Sequence, residues 1–600
     1  MKKVVPMLSL LDWTILLLFF LIVISIGIRF SKKSKESVSE YFLGGRRMPW
    51  WLLGVSMVAC TFSADTPNLV TDMVRQDGVA KNWAWWSFLI TGMVTVFIYS
   101  RLWRRSNVNT DLEFYELRYG GKPASFLRGF RSLYLGVFFN VLIMASVTLA
   151  AIKIGAVMFG LSPLITVVGA SIVVVIYTTL GGLRGVMWAD FFQYSIATTG
   201  AILAAVIAVQ QPEIGTLSNL IHHPEISSKI SFFPDANNTS VLLTLFIIPI
   251  AVQWWSVWYP GAEPGGGGYI AQRMLSAKNE KHAIGATFFF NFMHYAIRPW
   301  PWIIVALASL IIYPDLQTIK TQFPNIPDNY LKNDIAYPIM LLKMGKGWLG
   351  LVIASLIGAY MSTIGTHLNW GASYVVNDFY KRFVKPKASE KELVLAGKLA
   401  TLGLMFLSGL IALTVMENAG QAFNLLLLTG AGSGAIYLLR WFWWRINAWS
   451  ELSAMIAATL NAIVMVFYIP DASVQNSLLD GFTTKLLASV LLTTIVWIVT
   501  TLCTKPENDQ VLVRFVKTVK ANGPGWEKIA SKIPDYDSEP WQLPTQILLV
   551  FVGCVAIYSY LFAIGSLIYG LTVQGIILSL VGTGGMIFIF RTLTIKRHIL

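Results

Sequence analysis

Residues Gln253 to Arg273 read QWWSVWYPGAEPGGGGYIAQR, with two prolines and five glycines inside a stretch otherwise apolar enough to enter a bilayer. Lipid offers no hydrogen bonds to freed backbone N–H and C=O groups. Non-helical backbone at membrane depth must therefore be buried in protein or line a wet cavity. The segment predicts an all-α polytopic membrane protein with an interrupted helix near its functional centre.

Composition agrees. The chain has 600 residues, of which 55% are hydrophobic and 13% charged, with mean hydropathy +0.61, whereas soluble domains carry about a quarter charged residues. At about 20 apolar residues per span, roughly fifteen segments are expected, beginning near residues 10, 49, 83, 128, 162, 187, 241, 283, 347, 391, 422, 448, 483, 545 and 571. The first is followed by Lys32, Lys33 and Lys35 with no small-residue cleavage site, which reads as a retained helix and not a signal peptide.

The net charge of +15 is concentrated in alternate loops, among them Lys32 to Arg47, Arg101 to Arg131, Lys381 to Lys398 and Lys505 to Lys532. By the positive-inside rule these loops are cytoplasmic, with the N-terminus outside and the C-terminus inside. The partner this charge implies is a lipid bilayer and no nucleic acid. The setting is a plasma membrane, or the inner membrane of a Gram-negative bacterium. Cys60, Cys503 and Cys554 lie in or beside apolar runs without metal-site spacing and read as packing residues.

A second interruption falls in the second span, where Ser56 to Asp72 reads SMVACTFSADTPNLVTD. Pro67 removes a backbone donor and biases Thr66 away from helix. An apolar core has no use for Thr61, Ser63, Asp65 and Thr66 together, and an aspartate at mid-membrane costs about 2.5–3.5 kcal/mol on insertion scales. Asp65 thus implies a partner: a cation, a base or a polar solute. The two breaks lie an odd number of spans apart, so the broken helices run in opposite directions. That is the relation expected of two inverted five-helix repeats with a binding site at their interface, as transporters use. The predicted organisation is one membrane domain over 1–600. It has an extra helix at 10–30, repeats at 49–210 and 241–445, extra helices at 448–503, a loop at 504–544 with one amphipathic helix, and two last helices with a basic tail at 545–600. Those last helices are assigned to packing or assembly.

Four stretches carry a resemblance: YFLGGRRMPWW (Tyr41–Trp51), GGLRGVMWADFFQ (Gly181–Gln193), YIAQRMLSAK (Tyr269–Lys278) and AYMSTIGTHLNWGASYVVNDFY (Ala359–Tyr380). In order and spacing the chain resembles the sodium:solute symporter family, bacterial sugar-transporter-like branch, over residues 10 to about 445. The resemblance implies a LeuT-like core of two inverted five-helix repeats, with one N-terminal and about four C-terminal extra helices. It also implies Na⁺-coupled uptake of a small polar organic solute, with a sugar or sugar-like compound as the first guess, by alternating access. Its sodium set falls here on Ala59, Phe62, Ala359, Ser362 and Thr363. For the two hydroxyls the alternative is hydrogen bonding within the helix pack. Asp190 and Thr366 match a second ion or an ion exit path. The alternative for Asp190 is a salt bridge to Arg184 or another base.

Where galactose-transporting bacterial relatives present glutamate, tyrosine and glutamine to the sugar, this chain has Trp85, Glu263 and Leu426. The solute-binding candidates are thus Thr61, Ser63, Asp65 and Thr66, an aromatic wall with Trp85, Trp258 and Tyr259, and Glu263 and Arg298. Aromatic faces stack on sugars and also attract cations, so the wall alone selects no solute. Arg298 sits about 22 Å into its span at 1.5 Å per residue. It either pairs with Asp65 or Glu263 or grips an anionic group, because a lone buried arginine is expensive. No HExxH, Walker A or nucleophile-elbow motif supports a membrane enzyme. A transporter-like solute sensor without net transport is the other alternative.

Overall fold

The computed structural model describes residues 8–34, 38–256, 263–324, 326–416, 418–534, 536 and 539–595. Among them, eleven helices are long and apolar enough to cross a membrane. Shorter apolar helices are Trp50–Thr61, Pro163–Ile176 and Thr239–Trp255, so eleven long helices stand against the roughly fifteen segments expected. In chain order the elements are α1 (Leu10–Ser34), α2 (Trp50–Thr61), α3 (Asp65–Asp77), α4 (Val79–Ser106), α5 (Gly121–Phe159) and α6 (Pro163–Val209). Then come α7 (Thr239–Trp255), α8 (Gly268–Ser276), α9 (Glu280–Ile312), α10 (Trp348–Val384), α11 (Glu390–Thr414), α12 (Ala419–Gly430) and α13 (Gly434–Leu439). The chain ends with α14 (Ala448–Phe467), α15 (Gly481–Cys503), α16 (Asp509–Val519), α17 (Leu543–Ile568) and α18 (Thr572–Ile595).

Each interruption has a local cause. The α6 run turns at Gly182, whose φ of 56° and ψ of −167° lie outside the helical region, so the spans expected at 162 and 187 meet end to end. Gly432, at φ +82°, separates α12 from α13. Between α7 and α8 the glycine run holds φ values of +85° at Gly265 and +83° at Gly266, which only glycine adopts cheaply. A Cβ on Gly434 would lie 1.4 Å from the Trp255 carbonyl oxygen. Glycine there lets the α13 start press on the end of α7, so two broken segments touch.

The paired breaks α2/α3 and α7/α8 sit inside the bundle. α2 packs on α9, α6 and α10, while α3 packs on α9, α5 and α12. α1 covers α6 and α10 from outside, and α17 and α18 pack on each other with α17 against α4 and α9. At the face that carries the basic loops, Met48 N–H donates to Ser276 O at 3.2 Å and Lys278 N–H to Met48 O at 3.1 Å. That short bridge ties the start of α2 to the end of α8.

The loop at 504–544 is folded onto this face. α16 buries Leu512, Phe515, Val516 and Val519, a one-sided helical spacing. Trp526 is fully buried and its Nε1–H donates to Trp441 O at 2.8 Å. The Arg118 guanidinium lies over the rings of Trp526 and Phe515 at 4.9 and 5.3 Å and donates to Arg440 O at 2.8 Å. The segment is a docked cap.

Candidate functional site

α2 is buried from Leu52 to Thr61 and ends by turning its chain. Phe62 N–H donates to Val58 O at 2.8 Å and Ala59 O at 3.0 Å, and ψ of 74° at Phe62 then breaks the helix. The unsatisfied carbonyl end of a helix is electronegative. α10 runs beside it, and Thr363 Oγ1–H donates to Cys60 O at 3.1 Å. Ala59 and Phe62 flank that carbonyl, and Ala359 lies one turn before Thr363, so this bond sets the two halves of the predicted sodium set side by side. Ser362 Oγ–H donates to Asp190 Oδ1 at 2.6 Å. Both hydroxyls donate to acceptors, and their oxygen lone pairs can still serve a cation. Among the described residues no group of three or more His, Cys, Asp or Glu side chains could hold a metal. A set of carbonyls and hydroxyls suits a hard cation, whereas transition metals prefer imidazole and thiolate.

Asp190, 0% exposed, anchors a buried network. It accepts Ser56 Oγ–H at 2.6 Å on Oδ2 as well as Ser362 on Oδ1, and its countercharge is Arg273, 3.9 Å away. Arg273, from the YIAQR stretch, donates to Thr366 Oγ1 at 2.9 Å, to Ser56 Oγ at 3.3 Å and to Gln272 Oε1 at 3.0 Å. The base facing Asp190 is thus Arg273 and not the sequence neighbour Arg184, which pairs with Glu40 at 3.3 Å and donates to Gly44 O at 2.8 Å. Asp190 and Thr366 do come together, bridged by a guanidinium.

On the other side of the α2/α3 break lies a cavity. The break supplies Cys60, Thr61, Ser63, Asp65 and Thr66. Trp85 comes from α4, Ser146 and Val147 from α5, Tyr269 from α8, His294 and Arg298 from α9, Thr363 and His367 from α10, and Phe423 and Leu426 from α12. Arg298 directs Nη1 to Thr61 Oγ1 at 3.2 Å and to Val58 O at 3.4 Å, with its plane over Trp302 at 5.1 Å. Its Nη2 meets His294 Nε2 at 3.3 Å. A guanidinium only donates, so His294 Nε2 accepts, Nδ1 carries the proton, and the 3.0 Å contact to Thr61 is a donation from His294. By the same reasoning His367 Nδ1–H donates to Asn140 Oδ1 at 2.6 Å, since Asn140 Nδ2 is spent on the His367 carbonyl at 2.9 Å. Its Nε2 is then left as an acceptor.

Of the predicted solute contacts, Thr61, Ser63, Asp65, Thr66, Trp85 and Arg298 line this one cavity. Trp258 and Tyr259 lie outside the described residues. Glu263 is elsewhere: 1% exposed, it forms ion pairs with Arg131 and, at 3.2 Å, with Arg440. The expected pairing of Arg298 with Glu263 gives way because the break carries Glu263 toward the basic face. Arg440 also reaches Glu451 at 3.2 Å and the Tyr115 hydroxyl at 2.8 Å. Ser146, Tyr269, His294 and His367 were not selected from sequence. The i, i+4 spacing of His294 and Arg298 was the available signal for one of them.

The sequence model of the sodium:solute symporter family matches residues 41–458. A sodium/glucose cotransporter from Vibrio parahaemolyticus is 25% identical, over 84% of this chain and 92% of that one. Sodium/glucose cotransporter 1 from Oryctolagus cuniculus is 24% identical, over 73% of this chain and 69% of its own length. Among solved structures, the substrate-bound outward-open state of a Na⁺-coupled sialic acid symporter superposes with a TM-score of 0.65. It is 22% identical and covers 83% of this chain and 99% of that one. That likeness gives the fold: the LeuT-type core expected from the sequence.

Proposed function

The chain belongs to the sodium:solute symporter family, and on that premise of Na⁺-coupled solute symport we propose where the ion and the solute bind and what kind of solute is carried. Na⁺ binds to the carbonyls of Ala59, Phe62 and Ala359 and the hydroxyls of Ser362 and Thr363. The observation that carries this is the 3.1 Å bond from Thr363 to Cys60 O, which joins α10 to the broken end of α2. Na⁺ held across that joint stabilises the state in which α2 and α10 stay together. Release toward the basic face lets them part. Coupling requires this difference in ion affinity between states.

The solute occupies the adjoining cavity and is a sugar or sugar-like polyhydroxy compound. The names of the Vibrio and rabbit relatives support a sugar. So does a cavity that sets the indole face of Trp85 and the phenol of Tyr269 beside hydroxyls, a carboxylate and a neutral imidazole. Glu263, spent on Arg131 and Arg440, is left out of this contact set. The repeats run from 49 to 210 and from 241 to 445. The N-terminus is outside and the C-terminus cytoplasmic, supported by the alternation of basic loops. Proteoliposomes with an inward Na⁺ gradient, offered labelled hexoses, polyols, amino acids and carboxylates, test this reading. It predicts uptake of a polyhydroxy solute that stops when choline replaces Na⁺. Uptake indifferent to Na⁺, or solute binding without counterflow, would overturn it, the latter in favour of a sensor.

A further inference from the structure

Asp65 opens α3, and Ala64 before it makes no side-chain cap bond. The Asp65 side chain lines the cavity, where Ser146 Oγ–H donates to its Oδ2 at 3.2 Å. Next to it Ser63, 6% exposed, lines the same cavity, and its hydroxyl acts on the Asp65 carboxylate. Thr66 adds a third hydroxyl from the same turn. Asp65 is the one carboxylate among the lining residues. Arg298 acts on it through space but aims donors at Thr61, Val58 and His294.

We propose that Asp65, with the hydroxyls of Ser63, Ser146 and Thr66, is a cation subsite on the solute side of the α2/α3 break, separate from the sodium set. Asp65 is half-buried, and a carboxylate partly withdrawn from water keeps its charge most readily when it is paired and hydrogen-bonded. The Ser63 hydroxyl beside it can donate to the carboxylate and still offer oxygen lone pairs to the same guest. The guest is a small monovalent cation from one of two sources. It is either a second Na⁺ bound with each solute or a protonated amine carried by the solute itself, for which the faces of Trp85 and Tyr269 would form the remaining wall. The proposal rests on the cavity being the solute site, and Thr363 and Ser362 take no part in it.

The test uses the full-length purified protein and Asp65→Asn, nearly isosteric, with Ser146→Ala as a milder second variant and monodispersity as the check on folding. Na⁺ binding is titrated calorimetrically with choline chloride holding ionic strength constant, and thermal stabilisation by glucosamine is compared with that by glucose. If the guest is Na⁺, wild type binds one Na⁺ more than Asp65→Asn, and Ser146→Ala weakens that ion severalfold. If the guest is an amine, Na⁺ stoichiometry is unchanged and a preference of at least tenfold for glucosamine over glucose disappears in Asp65→Asn. An Asp65→Asn protein with the wild-type stoichiometry and the wild-type amine preference, or a wild type with neither signal, would overturn the proposal. Uptake that ignores Na⁺ altogether would instead strike the parent reading, so the two failures are distinguishable.

Discussion

Neutralising Glu263 should loosen the basic face of the bundle by a calculable amount. Glu263 holds Arg131 and Arg440, which are 1% and 2% exposed. With Glu263→Gln, two buried guanidinium groups share Glu451, which lies 3.2 Å from Arg440 and 4.0 Å from Arg131. Rings help: Tyr437 lies 4.3 Å from the Arg131 charge centre and Phe114 4.7 Å from that of Arg440. They do not replace a carboxylate. Removing one partner of a buried ion pair costs about 3–5 kcal/mol. Glutamine keeps one hydrogen bond, so the low end, about 3 kcal/mol, applies. At about 1.4 kcal/mol per tenfold, local opening becomes roughly a hundredfold more frequent. Hydrogen exchange reads this directly, because local openings set amide protection. Amides in 263–268 and 431–440 should lose about two decades of protection while those of α17 and α18 do not change. The double variant Glu263→Gln with Arg131→Met restores a one-to-one balance of Arg440 with Glu451 and should recover at least half of the loss. Unchanged protection in the single variant, or a double variant worse than the single, would refute the reasoning.

Other perturbations follow from the same physics. Lys153 and Asp334 form a buried pair at 2.6 Å. Lys153→Met alone should therefore cost about 3–5 kcal/mol and Lys153→Met with Asp334→Leu much less, measured as midpoints of thermal inactivation at one scan rate. Trp526→Ala empties the seat under Arg118 and should cost about 3–5 kcal/mol, seen as rapid proteolysis within 504–544 while the spans stay resistant. Glu539 lies outside the spans. Burial alone would raise its pKa, but hydrogen bonds and charge from Arg105, with Arg101 and Lys520 beside it, hold it below the ordinary carboxylate value. A depressed folded-state pKa adds stability above the unfolded pKa that is lost as pH falls through the folded one. Cap docking should therefore weaken on acidification below about pH 4, and Glu539→Gln should flatten that dependence in a proteolysis or exchange assay.

The sequence showed the two breaks because proline, glycine and clustered polar residues are local punctuation, visible without knowing the fold. The apolar segments were legible for the same reason: hydropathy is a property of each stretch alone. The proposed sodium set rests on motif register, and Thr61, Ser63, Asp65 and Thr66 from the first break converge with Trp85 and Arg298 on one cavity. What failed depended on partners remote in sequence. Glu263 looked like a solute contact because its companions Arg131 and Arg440 lie 132 and 177 residues away. For Asp190 the sequence offered Arg184 or another base, and which base it is could not be read locally, because Arg273 comes from a distant part of the chain. Residues 504–544 read as a linker with one amphipathic helix. Their aromatic anchor, Trp526, docks only because Arg118 and Trp441 come from other parts of the chain.

The central claim is that Na⁺ sits between the broken end of α2 and the hydroxyls of α10. It is tested most directly by the thermal stability of the purified protein as Na⁺ replaces choline at fixed ionic strength. A ligand that binds the folded state raises stability with the logarithm of its concentration above its dissociation constant. Wild type and Thr363→Ser should show a saturable rise. Ser362→Ala with Thr363→Val should remain folded and show none below concentrations at least about a hundredfold higher, since two oxygen ligands at about 1.4 kcal/mol each are gone. A double variant that follows the wild-type curve would place the ion elsewhere and contradict the account.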